Sequence, residues 1–430
     1  MDRRSDITLL LEGGAQVVQE KAQEKVTNRW LMVAAALVVQ LCLGVLYAWS
    51  VFRPVFEADL GWSKSQTGFP YQASLLLFAI GTVIAGKIQD RIGPRKVAML
   101  GGVMLALGAA LTGVVGDTVI GVILTYGVLG GLGVGFAYVT PIAMLVKWFP
   151  DKRGFITGIA VFGFGLATVV FAPVITALLD SVGIASTFYI LAAIFLVLVV
   201  GAGSFFRVPP ADWKPEGWDI PAQMQQVVDC PLNRTVRTWQ FAVIWLVYFL
   251  GAGVGLMTIG KAKTLGLDVA GAGSGLATAG VMVLGIFNAV GRLSWGSLSD
   301  RLGRLRTILI MFVVYIVAFL GLMRWTDNKT TWFIGICLIG FSFGGYLAIM
   351  PCLTADYYGT KCLGANYGAL FTAYGIGGVV WPYIIDALSK STGSYTWVWY
   401  ISAIVCAVGM VLTLLIRPPR LRLDTVVEET

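Results

Sequence analysis

One arginine, Arg292, stands inside an apolar segment that runs from about residue 272 to 298. It precedes Asp300 by eight residues, so on a helix rising 1.5 Å per residue it lies roughly 12 Å in from that segment's charged end. An arginine at such depth costs about 2.5 to 3.5 kcal/mol on insertion scales, and residues of this kind face a bundle interior or a watery cavity and mark a solute path. The alternative is a side chain that snorkels to the membrane surface or bonds helix carbonyls. No carboxylate shares its depth: Asp180, Asp268, Asp356 and Asp386 fall near segment ends. Histidine is absent, and the six cysteines (Cys42, Cys230, Cys337, Cys352, Cys362, Cys406) show no metal-ligand spacing. That removes the commonest metal ligand and the usual proton shuttle near neutral pH. No metal or cofactor is expected. With no nucleophile and base pair in the apolar segments, an enzyme is not expected either.

The segments that must position Arg292 dominate the chain. Its 430 residues are 57% apolar and 13% charged, with a mean hydropathy of +0.81, whereas soluble domains carry roughly a quarter charged residues. Runs of about 20 apolar residues suit a bilayer, where a helix satisfies its own backbone. Twelve are read, near 30–52, 68–88, 96–115, 119–147, 153–179, 186–206, 238–260, 272–298, 306–325, 331–355, 365–388 and 395–417. The expected fold is an all-α polytopic membrane protein with 12 transmembrane helices in two six-helix bundles. The longest polar stretch, 207–237, holds five prolines that break any span. The expected organisation is a tail (1–29), a bundle (30–206), a central loop (207–237), a second bundle (238–417) and a closing tail (418–430).

Lysine and arginine gather at one side, at Arg3, Arg4 and Arg29, at Lys87, Arg91, Arg95 and Lys96, at Arg153, and at Arg301, Arg304 and Arg306. The positive-inside rule then places both termini in the cytoplasm of a multi-pass protein of the cell membrane, the inner one where there are two. The net charge of +8 is spread over these loops rather than gathered on one surface, so nucleic acid is not an expected partner. No removable signal peptide is read in residues 1–29, and the first span doubles as the insertion signal. Glycine-rich runs such as Gly127 to Gly135 lie within apolar helices, where they permit close packing, and are not phosphate loops.

An internal repeat is visible by inspection. Gly86, Asp90, Arg91, Gly93 and Lys96 recur 210 residues later as Gly296, Asp300, Arg301, Gly303 and Arg306. Arg292 breaks the symmetry, since Thr82 stands 210 residues before it. Such repeats place a solute site near the bilayer midplane, reached alternately from each side as one half rocks against the other. The stretch Gly86, Asp90, Arg91, Gly93, Arg95, Lys96 resembles the loop signature of the major facilitator superfamily. The resemblance implies that Asp90, Arg91 and Arg95, with Asp300, Arg301 and Arg153, gate conformation: an Asp beside cations at a helix end caps a helix and pairs until the bundle opens.

Trp148, Phe149, Pro150, Asp151, Lys152, Arg153 and Gly154, together with Gly44, Tyr47, Ala48 and Trp49, are similar to the oxalate/formate antiporter family and related monocarboxylate transporters. The resemblance implies that Arg292 holds the substrate carboxylate, a role its planar two-donor fork suits. Asn288, Tyr47, Tyr138, Phe343, Tyr346 and Tyr374 would complete the pocket, although each tyrosine alone is as often a packing residue or interfacial anchor. The antiporter pattern carries a lysine where Tyr374 stands. A dicarboxylate on one arginine would leave a charge uncompensated, so small monocarboxylates of the lactate, pyruvate and acetate type are expected, with a hydroxyl or keto oxygen suited to Tyr374. Monocarboxylate transporters often have an acid where Asn288 stands, which leaves proton symport open, with Asp386 the candidate carrier. The alternatives are an oxalate/formate-type anion antiporter or a carrier of an unrelated small solute. A monomer in the lipid bilayer is expected.

Overall fold

The computed structural model describes residues 28–63, 65–210, 213–219, 227–268, 271, 274–322 and 328–419. Most of both expected tails, including Arg3 and Arg4, and part of the central loop therefore lie outside the described residues. Every regular element among the described residues is helical, as the expected all-α fold requires. Among the described residues, eleven stretches are long and apolar enough to cross a bilayer. One of them, Arg153–Gly203, has 51 residues, enough for two crossings. It breaks where Gly183 adopts φ 75° and ψ 178°, so the described residues form twelve spans.

In chain order these are α1 (Arg29–Asp59), α2 (Phe69–Ile92), α3 (Pro94–Val115) and α4 (Val119–Trp148). The broken stretch gives α5 (153–182) and α6 (184–203). There follow α7 (Trp239–Asp268), α8 (Ser274–Leu302), α9 (Arg304–Ile316), α10 (Lys329–Tyr358), α11 (Leu363–Thr392) and α12 (Thr396–Leu415). Two local features depart from the sequence reading. The first span is read to end near residue 52, yet α1 continues through Pro54 to Asp59. Phe52 and Phe56, one turn apart on its buried face, pack against Trp49 at 5.8 and 5.6 Å, and that packing outweighs the hydrogen bond a proline forfeits. Within α1, Gly44–Ala48 tightens into a 3₁₀ turn, so Tyr47 leaves the helix at an altered angle.

The central segment is docked rather than loose where it is described. Trp148 Nε1 donates to the Arg207 carbonyl at 2.7 Å, and Trp213 Nε1 donates to the Trp148 carbonyl at 3.2 Å. Farther along, Cys230 N–H donates to the Tyr358 carbonyl, and Asp229 accepts from Lys361 N–H at 3.0 Å. These bonds tie the segment to the α4–α5 and α10–α11 turns.

The repeat is repeated in the backbone. Gly93, between α2 and α3, has φ 87° and ψ 162°, and Gly303, between α8 and α9, has φ 89° and ψ 152°. That region is open almost only to glycine. At the same end of the molecule, here the basic end, α2 packs on α11 and α5 on α8. A side chain on Gly86 would collide with the Gly364 carbonyl, and one on Gly296 with the Gly154 carbonyl. Both contacts are backbone to backbone, and their four glycines are related by the same shift of 210 positions.

Candidate functional site

Arg292 is 0% exposed. Gly344 of α10 and Gly165 of α5 clear its path, since a Cβ on either would come within 3.1 and 3.3 Å of the Arg292 side chain. The guanidinium reaches across to α5, where Nη1 donates to the Val161 carbonyl at 2.7 Å. Its Nε donates to Asn288 Oδ1, one turn earlier on α8, at 3.3 Å, and its Cζ lies 5.5 Å from the centre of the Phe164 ring. Nη2 is buried with no hydrogen-bond partner. Among the described residues, Arg292 is the one buried charged side chain, with no buried Asp or Glu to offset it. The side chain faces neither lipid nor a carboxylate. It is a desolvated cation between α5 and α8 with one donor nitrogen unused, an arrangement that favours an incoming anion.

Around it the structure brings together most of the aromatic residues expected from sequence. The hydroxyls of Tyr47 on α1 and Tyr374 on α11 hydrogen-bond to each other. The Phe343 ring lies 6.3 Å from that of Tyr374, and Tyr47 meets Phe164 edge to face at 5.1 Å. Tyr138 of α4 packs on Phe78 at 4.9 Å, Phe371 at 5.0 Å and Phe164 at 5.5 Å. Tyr346 is not part of this group. It lies against Phe312 at 5.7 Å and stacks on Tyr315 at 6.1 Å, because it projects from α10 toward α9, whereas Gly344 faces Arg292. The side chain of Asp386 lies outside the described residues.

Several members were not read from sequence: Phe78, Phe164, Tyr248, Tyr367 and Phe371. A signal existed in α11, where Tyr367, Phe371 and Tyr374 recur at intervals of four and three and so share one helix face. Among the described residues, no group of three or more His, Cys, Asp or Glu side chains could hold a metal ion.

The residues expected to gate conformation divide in two. Asp90, at the end of α2, accepts from Gly364 N–H at 3.2 Å and Ala365 N–H at 2.8 Å. Asp300, at the end of α8, accepts from Gly154 N–H at 2.9 Å and Phe155 N–H at 2.8 Å. Each carboxylate thus sits on the N-terminus of a helix from the other half, where unsatisfied N–H groups and the helix dipole favour an anion. Around Asp300 a charge network adds to this. Arg304 donates to Asp300 at 2.7 Å and to Asp356 at 3.0 Å, and Arg153 pairs with Asp356 at 2.8 Å. Arg91, Arg95 and Arg301, by contrast, are exposed. They form no ion pair among the described residues.

The chain is similar to known proteins along nearly its whole length. The family model described as Major Facilitator Superfamily matches residues 34–382, and again 262–429. An uncharacterized MFS-type transporter, YhjX, of Escherichia coli is 33% identical over 352 residues, covering 82% of this chain and 86% of that protein. The oxalate:formate antiporter of Oxalobacter formigenes is 28% identical over 91% of this chain and 92% of its own. Monocarboxylate transporter 12 of Rattus norvegicus is 26% identical over 85% of this chain and 81% of its own. The fold matches the crystal structure of the transporter FucP in its outward conformation, with a TM-score of 0.69 and 15% identity over 90% of this chain and 99% of that one. Twelve apolar helices, a repeated Asp-on-helix contact at the basic end and a family match along nearly the whole chain agree: this multi-pass membrane protein belongs to the Major Facilitator Superfamily, a family of transporters and not of enzymes.

Proposed function

We propose that the protein is a secondary transporter of small monocarboxylates that works by alternating access, with Arg292 receiving the carboxylate. The observation that carries this reading is the buried guanidinium with no carboxylate partner and an unused Nη2. An anion arriving there neutralises a desolvated charge, and Nη2 together with the second hydrogen of Nη1 supplies two parallel donors. Likeness to an oxalate:formate antiporter, a monocarboxylate transporter and a probable sulfoacetate transporter supports an organic anion as the cargo. Tyr374 in place of a second cation, and the lack of any other buried cation among the described residues, favour one negative charge over two.

By the positive-inside rule the basic end faces the cytoplasm, as do both termini. The Asp90 and Asp300 contacts hold that end closed while substrate reaches Arg292 from the opposite side. Neutralising Arg292 weakens its claim on the Val161 carbonyl of α5 and frees the halves to rock. The chain acts as a monomer in the bilayer. Because no described carboxylate is buried near Arg292, exchange of one acid for another is the favoured coupling, and proton symport would fall to Asp386.

Counterflow of labelled pyruvate, lactate, acetate and oxalate in proteoliposomes tests the reading. Arg292→Gln is expected to abolish counterflow of the monocarboxylates while the protein still elutes as a folded species. Full counterflow by that variant, or wild-type exchange of oxalate with no exchange of the three monocarboxylates, sinks it.

A further inference from the structure

Beside the Arg292 layer lies a second polar group. Tyr138 of α4, Tyr248 of α7 and Tyr367 of α11 are each 0% exposed. The Tyr367 hydroxyl interacts with those of Tyr138 and Tyr248, but none of the three has a partner in full hydrogen-bond geometry, and none bonds to a group outside the trio. A buried hydroxyl without a partner is costly, and buried polar groups are satisfied in nearly all native structures. Three that converge from both halves of the molecule describe a place for something else. The rings around them are in close contact, with Phe371 lying 5.8 Å from Tyr367, 5.0 Å from Tyr138 and 6.4 Å from Tyr248.

The two polar layers are adjacent. Tyr367 precedes Tyr374 by seven residues on α11, about 10 Å along the axis. Phe371 stands between them and stacks on Tyr374 at 4.7 Å. Phe164 touches both layers, edge to face with Tyr138 and beneath the Arg292 guanidinium.

We propose that Tyr138, Tyr248 and Tyr367 form a second polar subsite, which takes a neutral oxygen, keto or hydroxyl, carried by a monocarboxylate whose head group lies on Arg292. The inference rests on the carboxylate reading of Arg292 and adds to it a preference for acids whose second oxygen is remote from the carboxylate. Each phenol can donate one hydrogen bond and accept others, which suits a carbonyl or an alcohol alike. No cation bonds to the three hydroxyls, so a second carboxylate there would go unneutralised. A site built around a substrate oxygen rejects the analogue lacking it, because the hydroxyls are then left without partners.

The test is competition against labelled pyruvate counterflow by matched pairs, 4-hydroxybutyrate against butyrate and 4-oxopentanoate against pentanoate. In the wild-type protein the oxygenated member is expected to inhibit at about five-fold lower concentration or better. Tyr248→Phe and Tyr367→Phe, which delete a single oxygen, are each expected to reduce that ratio two- to ten-fold. A flat ratio in the wild type overturns the proposal even if neither variant folds. So does an undiminished ratio in both variants, the result expected if the hydroxyls hold only water. The two readings fail separately: uptake by Arg292→Gln removes the carboxylate site, whereas a dead Arg292→Gln beside a flat ratio removes only the subsite.

Discussion

Tyr47 of α1 and Tyr374 of α11 share a hydrogen bond across the boundary between the two sequence-related halves. By its resemblance to the antiporter pattern, Tyr374 stands where a lysine would, and for the proposed cargo that position is the choice between this bond and a second cation. Tyr374→Lys is expected to break the bond and to create a site for two negative charges. Oxalate counterflow should then rise at least several-fold above wild type and pyruvate counterflow should fall, as read in the same proteoliposome assay.

The two Asp contacts at the basic end are alike in backbone geometry but not in support. Asp300 has Arg304 at 2.7 Å, whereas Asp90 forms no ion pair among the described residues. Hydrogen bonds to a charged group are worth about 1.5–3 kcal/mol, so Asp300→Asn is expected to favour opening of the basic end. Cys352, buried and 3.4 Å from Thr157 Oγ1 across the α5–α10 contact, reports on that event. In a variant whose sole cysteine is Cys352, its maleimide labelling should accelerate about ten-fold or more with Asp300→Asn.

Arg301 and Arg304 separate a motif residue from a structural one. Arg301 is exposed, and Arg301→Ala is expected to change the melting temperature little. Arg304 holds Asp300 and Asp356 together, and Arg304→Ala leaves two partly buried carboxylates short of a partner. A loss of about 2 kcal/mol is expected, seen as a lower melting temperature in detergent together with faster Cys352 labelling.

Gly93 and Gly303 carry the same strained turn. Alanine at either position is expected to cost about 1–3 kcal/mol, measured as a lower melting temperature, with the double variant losing close to the sum because the turns belong to different halves.

Acid exchange without proton movement is expected from a core whose described part buries no carboxylate. Adding external pyruvate to pyruvate-loaded vesicles should exchange label and leave an internal pH dye unchanged. Acidification that disappears in Asp386→Asn would instead establish symport.

Much of this architecture was legible in the residues. Apolar runs marked the spans because a bilayer demands them, and identical residues 210 positions apart marked the repeat. Arg292 stood out because a lone charge in hydrocarbon is costly. What remained hidden was mainly main-chain chemistry. Val161 carries a carbonyl that binds Arg292, and Gly154 and Gly364 carry the N–H groups that bind Asp300 and Asp90, but backbone groups leave no mark on residue identity. The motif also drew attention to Arg91, Arg95 and Arg301, which are exposed, over Arg304, whose importance comes from its contact with α10. Tyr346 was misplaced because two positions along a helix turn a side chain to another neighbour.

The bond from Arg292 ends on a peptide oxygen, and that has a corollary for mutagenesis. A mutation at position 161 changes the side chain but leaves the oxygen where it was, so no single amino-acid replacement there deletes the acceptor. Substitutions meant to alter cargo preference are therefore better aimed at Asn288 and Tyr374, whose side chains carry their polar groups, than at position 161.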